Sequence, residues 1–164
     1  MKSPLLSLIG LLLILGVLAA LLKKRPKGLS GPWPLEVRST VLSQPELVLY
    51  RRLVQALPNN LVFAQVQLSR FLEVRRGVPR QGWFNRISQL SADFLILNPD
   101  TSVVAAIELD DASHDGHSRR DAHSRKSQAL QSARVKLIRW RVKALPDEAA
   151  IRAALAEVTA GRSS

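Results

Sequence analysis

The chain has 164 residues and no cysteine, which excludes a disulfide framework and any thiolate metal site. Lys and Arg number 24 against 13 Asp and Glu, a formal net charge of +11. This excess of positive charge favours polyanionic partners, either nucleic acid or anionic lipid, and the length suits one domain plus an appendage.

The N-terminal part contains an uncharged apolar stretch from Pro4 to Leu22. As a helix it would be about 28 Å long, close to the hydrocarbon thickness of a bilayer. The basic sequence KKRPK follows, and the positive-inside rule then places the rest of the chain in the cytoplasm. A cleaved signal peptide is the alternative, but its main positive charge would precede the apolar stretch. We therefore expect residues 1–22 to form a single-pass anchor in the inner (cytoplasmic) membrane.

A linker rich in Pro and Gly, with basic residues at its start, follows over residues 23–40. Residues 41–164 are expected to form the folded domain. Its predicted elements in chain order are a helix (43–57), a strand (61–68), a loop with a short helix (69–91), two strands (92–97 and 102–109), a helix (118–133), a strand (135–140) and a last helix from Pro146. This order predicts an α/β domain in which helices flank a mixed β-sheet.

The two apolar strands on either side of the sequence NPDT predict a β-hairpin. If Asn98 pairs with Val103, then Asp93 lies opposite Glu108, with Cβ atoms roughly 5 Å apart. Asp110 would share the face of Glu108, because strand side chains alternate between the two faces. A slip of one residue in the pairing would instead move Asp93 to the other face.

Like charges at the end of two buried strands destabilise the sheet unless they are neutralised. A divalent cation would do this, and carboxylate ligands without cysteine suit Mg²⁺ or Mn²⁺. The alternative is that Asp110 and Asp111 begin a turn and Glu108 pairs with an arginine. The acids therefore predict a metal site at the sheet edge, and the positive charge of the chain would attract a phosphate polyanion.

Three segments, DFLILN, AAIELDDASH and RRDAHSRKSQALQSARVKLIRW, resemble the PD-(D/E)XK nuclease superfamily. The resemblance extends over about residues 43–142. Its closest branch includes very-short-patch-repair endonucleases and several bacterial domains of unknown function. It implies a restriction-endonuclease-like fold, a Mg²⁺ or Mn²⁺ cofactor and hydrolysis of nucleic acid, with DNA as the preferred substrate.

Carried onto this chain, the resemblance makes Asp93 and Glu108 the metal-binding pair. Asp110 stands where the superfamily has a catalytic lysine, which some relatives in this branch also lack, and it is a third candidate ligand. Lys126 or its neighbour Arg125 is a candidate substitute for that lysine. His114 matches the histidine of the branch and is either a base or a group that positions water, or else a loop histidine bonded to backbone.

The resemblance also indicates supporting residues, each with a structural alternative. Glu46 is either the acid contributed by the first helix or a helix cap, since residues 43–46 match a capping box. Asp121 is either the acid that opens the helix predicted over residues 118–133 or a cap of that helix, and Arg125 could pair with it. Arg139 could bind a phosphate or hold the Glu108 cluster. Arg134 stands where relatives have glycine after the helix.

Several exposed groups are candidates for contact with nucleic acid. The predicted backbone contacts are Arg75, Arg76, Arg80 and Arg86. Trp83 and Phe84 lie among these arginines and would either stack on a base or form a hydrophobic plug under the loop. His123 is expected at the surface.

Three functions remain open on the sequence alone. The first is a membrane-tethered, metal-dependent nuclease. The second is a nuclease-fold module without activity that binds nucleic acid or protein at the membrane. The third is a structural anchor whose basic surface lies on anionic lipid, and this one leaves the predicted pairing of Asp93 with Glu108 unexplained.

Overall fold

The structure, a computed structural model, describes residues 4–23, 32–110 and 117–160. It divides into two compact units, Met1–Ser39 and Thr40–Ser164. The first unit contains one helix, α1, at Pro4–Lys23. None of the helices among the described residues has the length and apolar character that crossing a membrane requires. The anchor predicted over residues 1–22 therefore has no support from the structure.

The second unit is a mixed α/β domain, as predicted. Its elements are α2 (Gln44–Ala56), β1 (Leu61–Gln67), a 3-10 turn (Leu68–Arg70), α3 (Arg80–Ile87), β2 (Ser91–Leu97), β3 (Val103–Asp110), α4 (His117–Ser132), β4 (Lys136–Arg141) and α5 (Glu148–Ala160). The four strands form one sheet in the order β1-β2-β3-β4. The first two pairings are antiparallel and β3 pairs with β4 in parallel, so α4 makes the connection that parallel strands need.

Helices cover both faces of the sheet, which explains why β2 and β3 are apolar on both sides. On one face, α2 and α5 bury Leu53 and Ile151 against Phe94 of β2. On the other face, Leu130 of α4 packs with Leu95 of β2. Burial of these side chains supplies the main driving force for folding, roughly 1.5–3 kcal/mol for each large apolar residue.

The predicted hairpin between β2 and β3 is confirmed over most of its length. Phe94 pairs with Ile107, and the next two pairs follow the predicted register. The register then shifts between Ile96 and Leu97, so that Leu97 pairs with Val103 and not with Val104 as predicted. Val104 accordingly belongs to the cluster around Phe94, and Val103 packs on the opposite side. The shift lies at the turn end, so it leaves the acidic end of the hairpin in the predicted register.

Helix α4 ends with a residue in the left-handed conformation. Arg134 has a φ of +56°. The backbone N–H of Val135 donates to the carbonyl of Leu130 at 2.9 Å, and the N–H of Arg134 donates to Gln131 at 3.0 Å. These two bonds have the spacing of a Schellman motif, in which glycine is the preferred residue. The helix therefore ends at the position where the resemblance implies glycine. Arg134 holds a conformation there that is unfavourable for arginine.

Candidate functional site

Two acids meet where β2 and β3 leave the core. The last pair of the hairpin ladder before the acids is Phe94 with Ile107, which makes Asp93 of β2 and Glu108 of β3 the next residues, and Asp93 Oδ2 accepts a hydrogen bond from the backbone N–H of Leu109 at 2.7 Å. Glu108 is only 3% exposed. The structure therefore brings together the two carboxylates that the sequence paired, while their assignment as metal ligands stays a prediction.

A lysine from α4 reaches this pair. Lys126 Nζ lies 2.5 Å from Glu108 Oε2 and donates a hydrogen bond to it, and Lys126 itself is only 9% exposed. Lys126 shares its helical face with Ala122, Ala129 and Leu130, which pack against the sheet. Of the two candidate substitutes for the missing lysine, Lys126 is therefore the one that contacts the acids. Arg125 is exposed and lines a different surface.

Burial sets the proton affinity of both acids. It raises the pKa of Glu108 from 4.5 to about 7; the nearby charge of Asp93 adds to this rise, and Lys126 opposes it. Burial also raises the pKa of Asp93, against the hydrogen bond from Leu109 and the charge of Lys126. The charges of Glu46 and Asp110 raise the pKa of Asp93 further. Four acids and one lysine thus form one electrostatic cluster.

Two carboxylate oxygens of the cluster are buried and accept no hydrogen bond from the described residues. They are Glu108 Oε1 and Asp110 Oδ1. Buried carboxylate oxygens are normally paired, so each has a free coordination position that suits a hard cation. Among the described residues, however, no three His, Asp or Glu side chains come close enough together to hold a metal ion by themselves.

Asp110 lies at the more open side of the cluster, beside two basic groups. His123 Nδ1 is 3.7 Å from Asp110 Oδ1, and Arg139 Nε is 3.9 Å from Asp110 Oδ2. Arg139 Nη2 also donates a hydrogen bond to Ser127 Oγ at 2.7 Å. Both basic side chains are about 40% exposed, which leaves them accessible to a ligand.

The sequence did not place His123 in the site, although one signal was available. His123 and Lys126 are three residues apart, so they share one face of α4 once that residue range is helical. His123 is therefore a functional candidate and not only a surface residue. Asp111 and His114 lie outside the described residues, so the predicted role of His114 stays a prediction.

Glu46 acts as a cap for α2. Its Oε2 accepts hydrogen bonds from the backbone N–H of Ser43 at 2.6 Å and from Ser43 Oγ at 2.7 Å, which supports the capping alternative. Its other oxygen, Oε1, accepts from Gln65 Nε2 at 2.8 Å. Both oxygens are therefore engaged by protein groups, and Glu46 acts on the site through its charge near Asp93.

Gln65 is a residue that the sequence analysis missed. It lies in β1 between the Ala64–Phe94 and Val66–Ala92 pairs, and so beside Asp93. Its φ of +53° is in the left-handed region, which costs about 1–3 kcal/mol for a residue other than glycine. Nothing in an alternating strand sequence signals such a distortion. It occurs where the strand passes the acids and where the Gln65 side chain binds Glu46.

The other predicted residues lie outside this cluster. Asp121 is exposed, and the ion pairs found among the described residues do not include one with Arg125, so the suggested pairing stays a prediction. The arginines predicted to contact nucleic acid are all exposed: Arg75, Arg76, Arg80 and Arg86. Trp83 is 52% exposed, so it does not form a buried plug.

Fold and site together define a mixed α/β domain with a buried acid–lysine cluster at one end of its central strands. The chain matches the family described as "Protein of unknown function (DUF2726)" over residues 38–158, and it belongs to that family. The match covers most of the second compact unit and includes every described residue of the cluster. No curated protein and no solved structure is similar enough to match the chain.

Proposed function

We propose that residues 41–164 form a restriction-endonuclease-like domain that hydrolyses phosphodiester bonds in nucleic acid with the help of Mg²⁺ or Mn²⁺. One observation carries the proposal. Glu108 is buried at a strand end, contacts Lys126 and faces Asp93, yet its Oε1 accepts no hydrogen bond from the described residues. A structural ion pair alone would be expected to satisfy both oxygens, because an unpaired buried carboxylate oxygen is destabilising.

The donor atoms present suit a hard divalent cation. Asp93, Glu108 and Asp110 carry carboxylate oxygens, and Oε1 of Glu108 accepts no hydrogen bond from the described residues. A cation bound there would activate water and neutralise the charge that develops on the scissile phosphate. Because the described residues supply no complete ligand set, the remaining positions would be filled by water, substrate phosphate or residues outside the described part.

Lys126 is proposed to act in the reaction in addition to its structural role. Its ammonium group is held against Glu108 at 2.5 Å, so it would lie close to a cation or water that Glu108 binds. It can hold a proton there or stabilise negative charge on the phosphate. The superfamily's lysine position is occupied by Asp110, and a lysine supplied by α4 would restore the same charge from another element. A lysine that contacts the metal-binding acids agrees with the resemblance to the PD-(D/E)XK superfamily.

Nucleic acid is the proposed substrate because one accessible arginine lies beside the site and further exposed arginines lie between β1 and β2. Arg139 lies beside Asp110 and is accessible, which suits a phosphate contact. The exposed arginines between β1 and β2 add further positive charge: Arg75, Arg76, Arg80 and Arg86. Neutralisation of phosphates by such residues supplies most of the affinity for nucleic acid and makes it salt-dependent.

A second candidate function is a nuclease-fold module that binds nucleic acid without cleaving it. The observation in its favour is that no group of three metal-ligating side chains forms among the described residues. In that case the pair of Glu108 and Lys126 would be structural. Binding of nucleic acid would persist, and addition of Mg²⁺ or Mn²⁺ would cause no cleavage.

Nuclease assays on the full-length protein separate the two candidates. Labelled single- and double-stranded DNA and RNA are incubated with Mg²⁺, Mn²⁺ or EDTA. We expect cleavage by the wild type with a divalent cation, and a loss of about two orders of magnitude or more in Asp93→Asn and Glu108→Gln. Asp100→Asn is the matched control, because Asp100 lies in the turn of the same hairpin and its side chain accepts hydrogen bonds from Ser102. Full activity in both site variants would refute the nuclease proposal.

Attachment to the inner membrane is proposed separately, from composition alone. Residues 4–22 carry no charge and KKRPK follows them, which suits insertion with the domain on the cytoplasmic side. A nuclease held there would act on nucleic acid that passes close to the membrane.

A further inference from the structure

A cavity of about 640 Å³ lies between α3 and α4. Its walls come from the chain between Leu72 and Val78, from α3, and from the face of α4 that carries Arg125 and Ala129. Its volume falls within the range of about 300–1,000 Å³ that is usual for small-ligand sites. Neither the metal chemistry proposed above nor the pair of Glu108 and Lys126 uses this cavity.

The cavity joins an aromatic surface to several positive charges. Trp83 lines it and is 52% exposed, and the guanidinium of Arg86 lies 5.2 Å from the centre of the Trp83 ring. Among the described residues that line the cavity, one is an acid, Glu73, and four are arginines: Arg75, Arg86, Arg125 and Arg134. An accessible indole supported by arginines is the combination on which single-stranded nucleic acid stacks a base while its backbone contacts the positive charges.

The cavity and the acidic cluster are adjacent because they share α4. Arg125 lines the cavity and the next residue, Lys126, contacts Glu108. Neighbouring residues of an α-helix project about 100° apart, so the two sites lie on different sides of the same helix. A single strand long enough to pass around α4 would contact both sites.

We propose that this cavity receives an unpaired base of single-stranded nucleic acid whose backbone extends to the acidic cluster. The inference rests on the proposed function for the location of that backbone, and it adds the substrate class. Bases of an intact duplex are stacked and paired, and removing one from the stack costs a few kcal/mol. Single strands, or ends and flaps with unpaired nucleotides, are therefore favoured over continuous duplex.

Binding measurements in EDTA test this without any dependence on cleavage. Fluorescence anisotropy of the full-length protein is measured with labelled single-stranded DNA, single-stranded RNA and blunt duplex DNA. We expect Trp83→Ala to weaken single-strand binding by roughly 5- to 150-fold, the value of one base stack, and to leave duplex binding unchanged. Trp83→Phe should retain most of the affinity, because it keeps an aromatic face. Trp33→Ala is the control, since Trp33 is exposed and lies in the other unit.

Two results would overturn the proposal. One is equal affinity of the wild type for single strands and duplex, and the other is single-strand binding that Trp83→Ala leaves intact. Circular dichroism shows whether Trp83→Ala is folded, and Trp83→Phe provides the test if it is not. Failure of the nuclease proposal is distinguishable from failure of this one. In that case Glu108→Gln and the wild type would bind single strands equally, and neither would cleave them. The DNA and RNA probes report which strand is preferred.

Discussion

Replacement of Glu108 by glutamine should change how the stability of the domain depends on pH. Glutamine has nearly the same shape as a protonated glutamate but does not ionise. Burial raises the pKa of Glu108 from 4.5 to about 7 in the folded state, so the folded protein holds this proton at pH values where the unfolded chain has released it. The wild type therefore has a stability contribution from Glu108 that the variant lacks.

The sign and size follow from linkage. Because the pKa is raised on folding, the contribution is fully present below pH 4.5 and is lost as the pH rises through about 7. The gap between the two pKa values corresponds to about 3 kcal/mol, most of which is lost between about pH 5 and about pH 8. Loss of the partner of Lys126 lowers the stability of Glu108→Gln at both pH values, so it cancels in the comparison.

Urea unfolding in EDTA at about pH 5 and about pH 8 measures this difference for the full-length protein. Subtracting the pH dependence of Glu108→Gln from that of the wild type removes the contribution of all other titrating groups that the substitution does not affect. Glu157→Gln, an exposed glutamate on α5, is the matched control and should behave as the wild type. The free energy of unfolding could change between the two pH values by the same amount, within about 0.5 kcal/mol, in the wild type and in Glu108→Gln. That result would show that burial does not hold a proton on this carboxyl.

Two further predictions concern other parts of the chain. Arg134→Gly should stabilise the domain by about 1 kcal/mol in urea unfolding, because glycine adopts the φ of +56° without strain, whereas Arg134→Ala should bring no such gain. An unchanged Arg134→Gly midpoint would show that the left-handed cap carries no strain. Cell fractionation should place the full-length protein with inner membranes and release a variant without residues 4–22, and a wild type that stays out of the membrane fraction would contradict the proposed anchor.

The sheet was predictable because burial on both faces leaves a strong signal. The apolar sequences of β2 and β3 and the turn between them predict a hairpin, and the register is confirmed near the acids. The error at Leu97 arose because the sequence pattern does not reveal a bulge when both faces are apolar. Val103 and Val104 are equally suited to either face of the sheet, so only the packing of the whole sheet decides which of them pairs with Leu97.

The site was less predictable because its contacts join elements that are distant in sequence. The pairing of Asp93 with Glu108 follows from hairpin register, which is local. The choice between Arg125 and Lys126 depends on the rotation of α4 about its axis, which is set by the packing of Ala129 and Leu130 against the sheet. Gln65 had no signal at all, since a left-handed residue in a strand is set by its surroundings.

The end of the hairpin collects several features that local rules disfavour. Asp93 and Glu108 lie close together on adjacent strands, Glu108 is 3% exposed and has an oxygen that accepts no hydrogen bond from the described residues, and Gln65 holds a left-handed conformation in β1. The large apolar clusters on both faces of the sheet supply the stability that offsets them. A fold that needed only a stable strand end would place apolar or neutral residues here, since such substitutions for buried charges are often neutral or stabilising. The accumulation of unfavourable features at one point is typical of a functional site, and it supports the assignment of the acid–lysine cluster as that site.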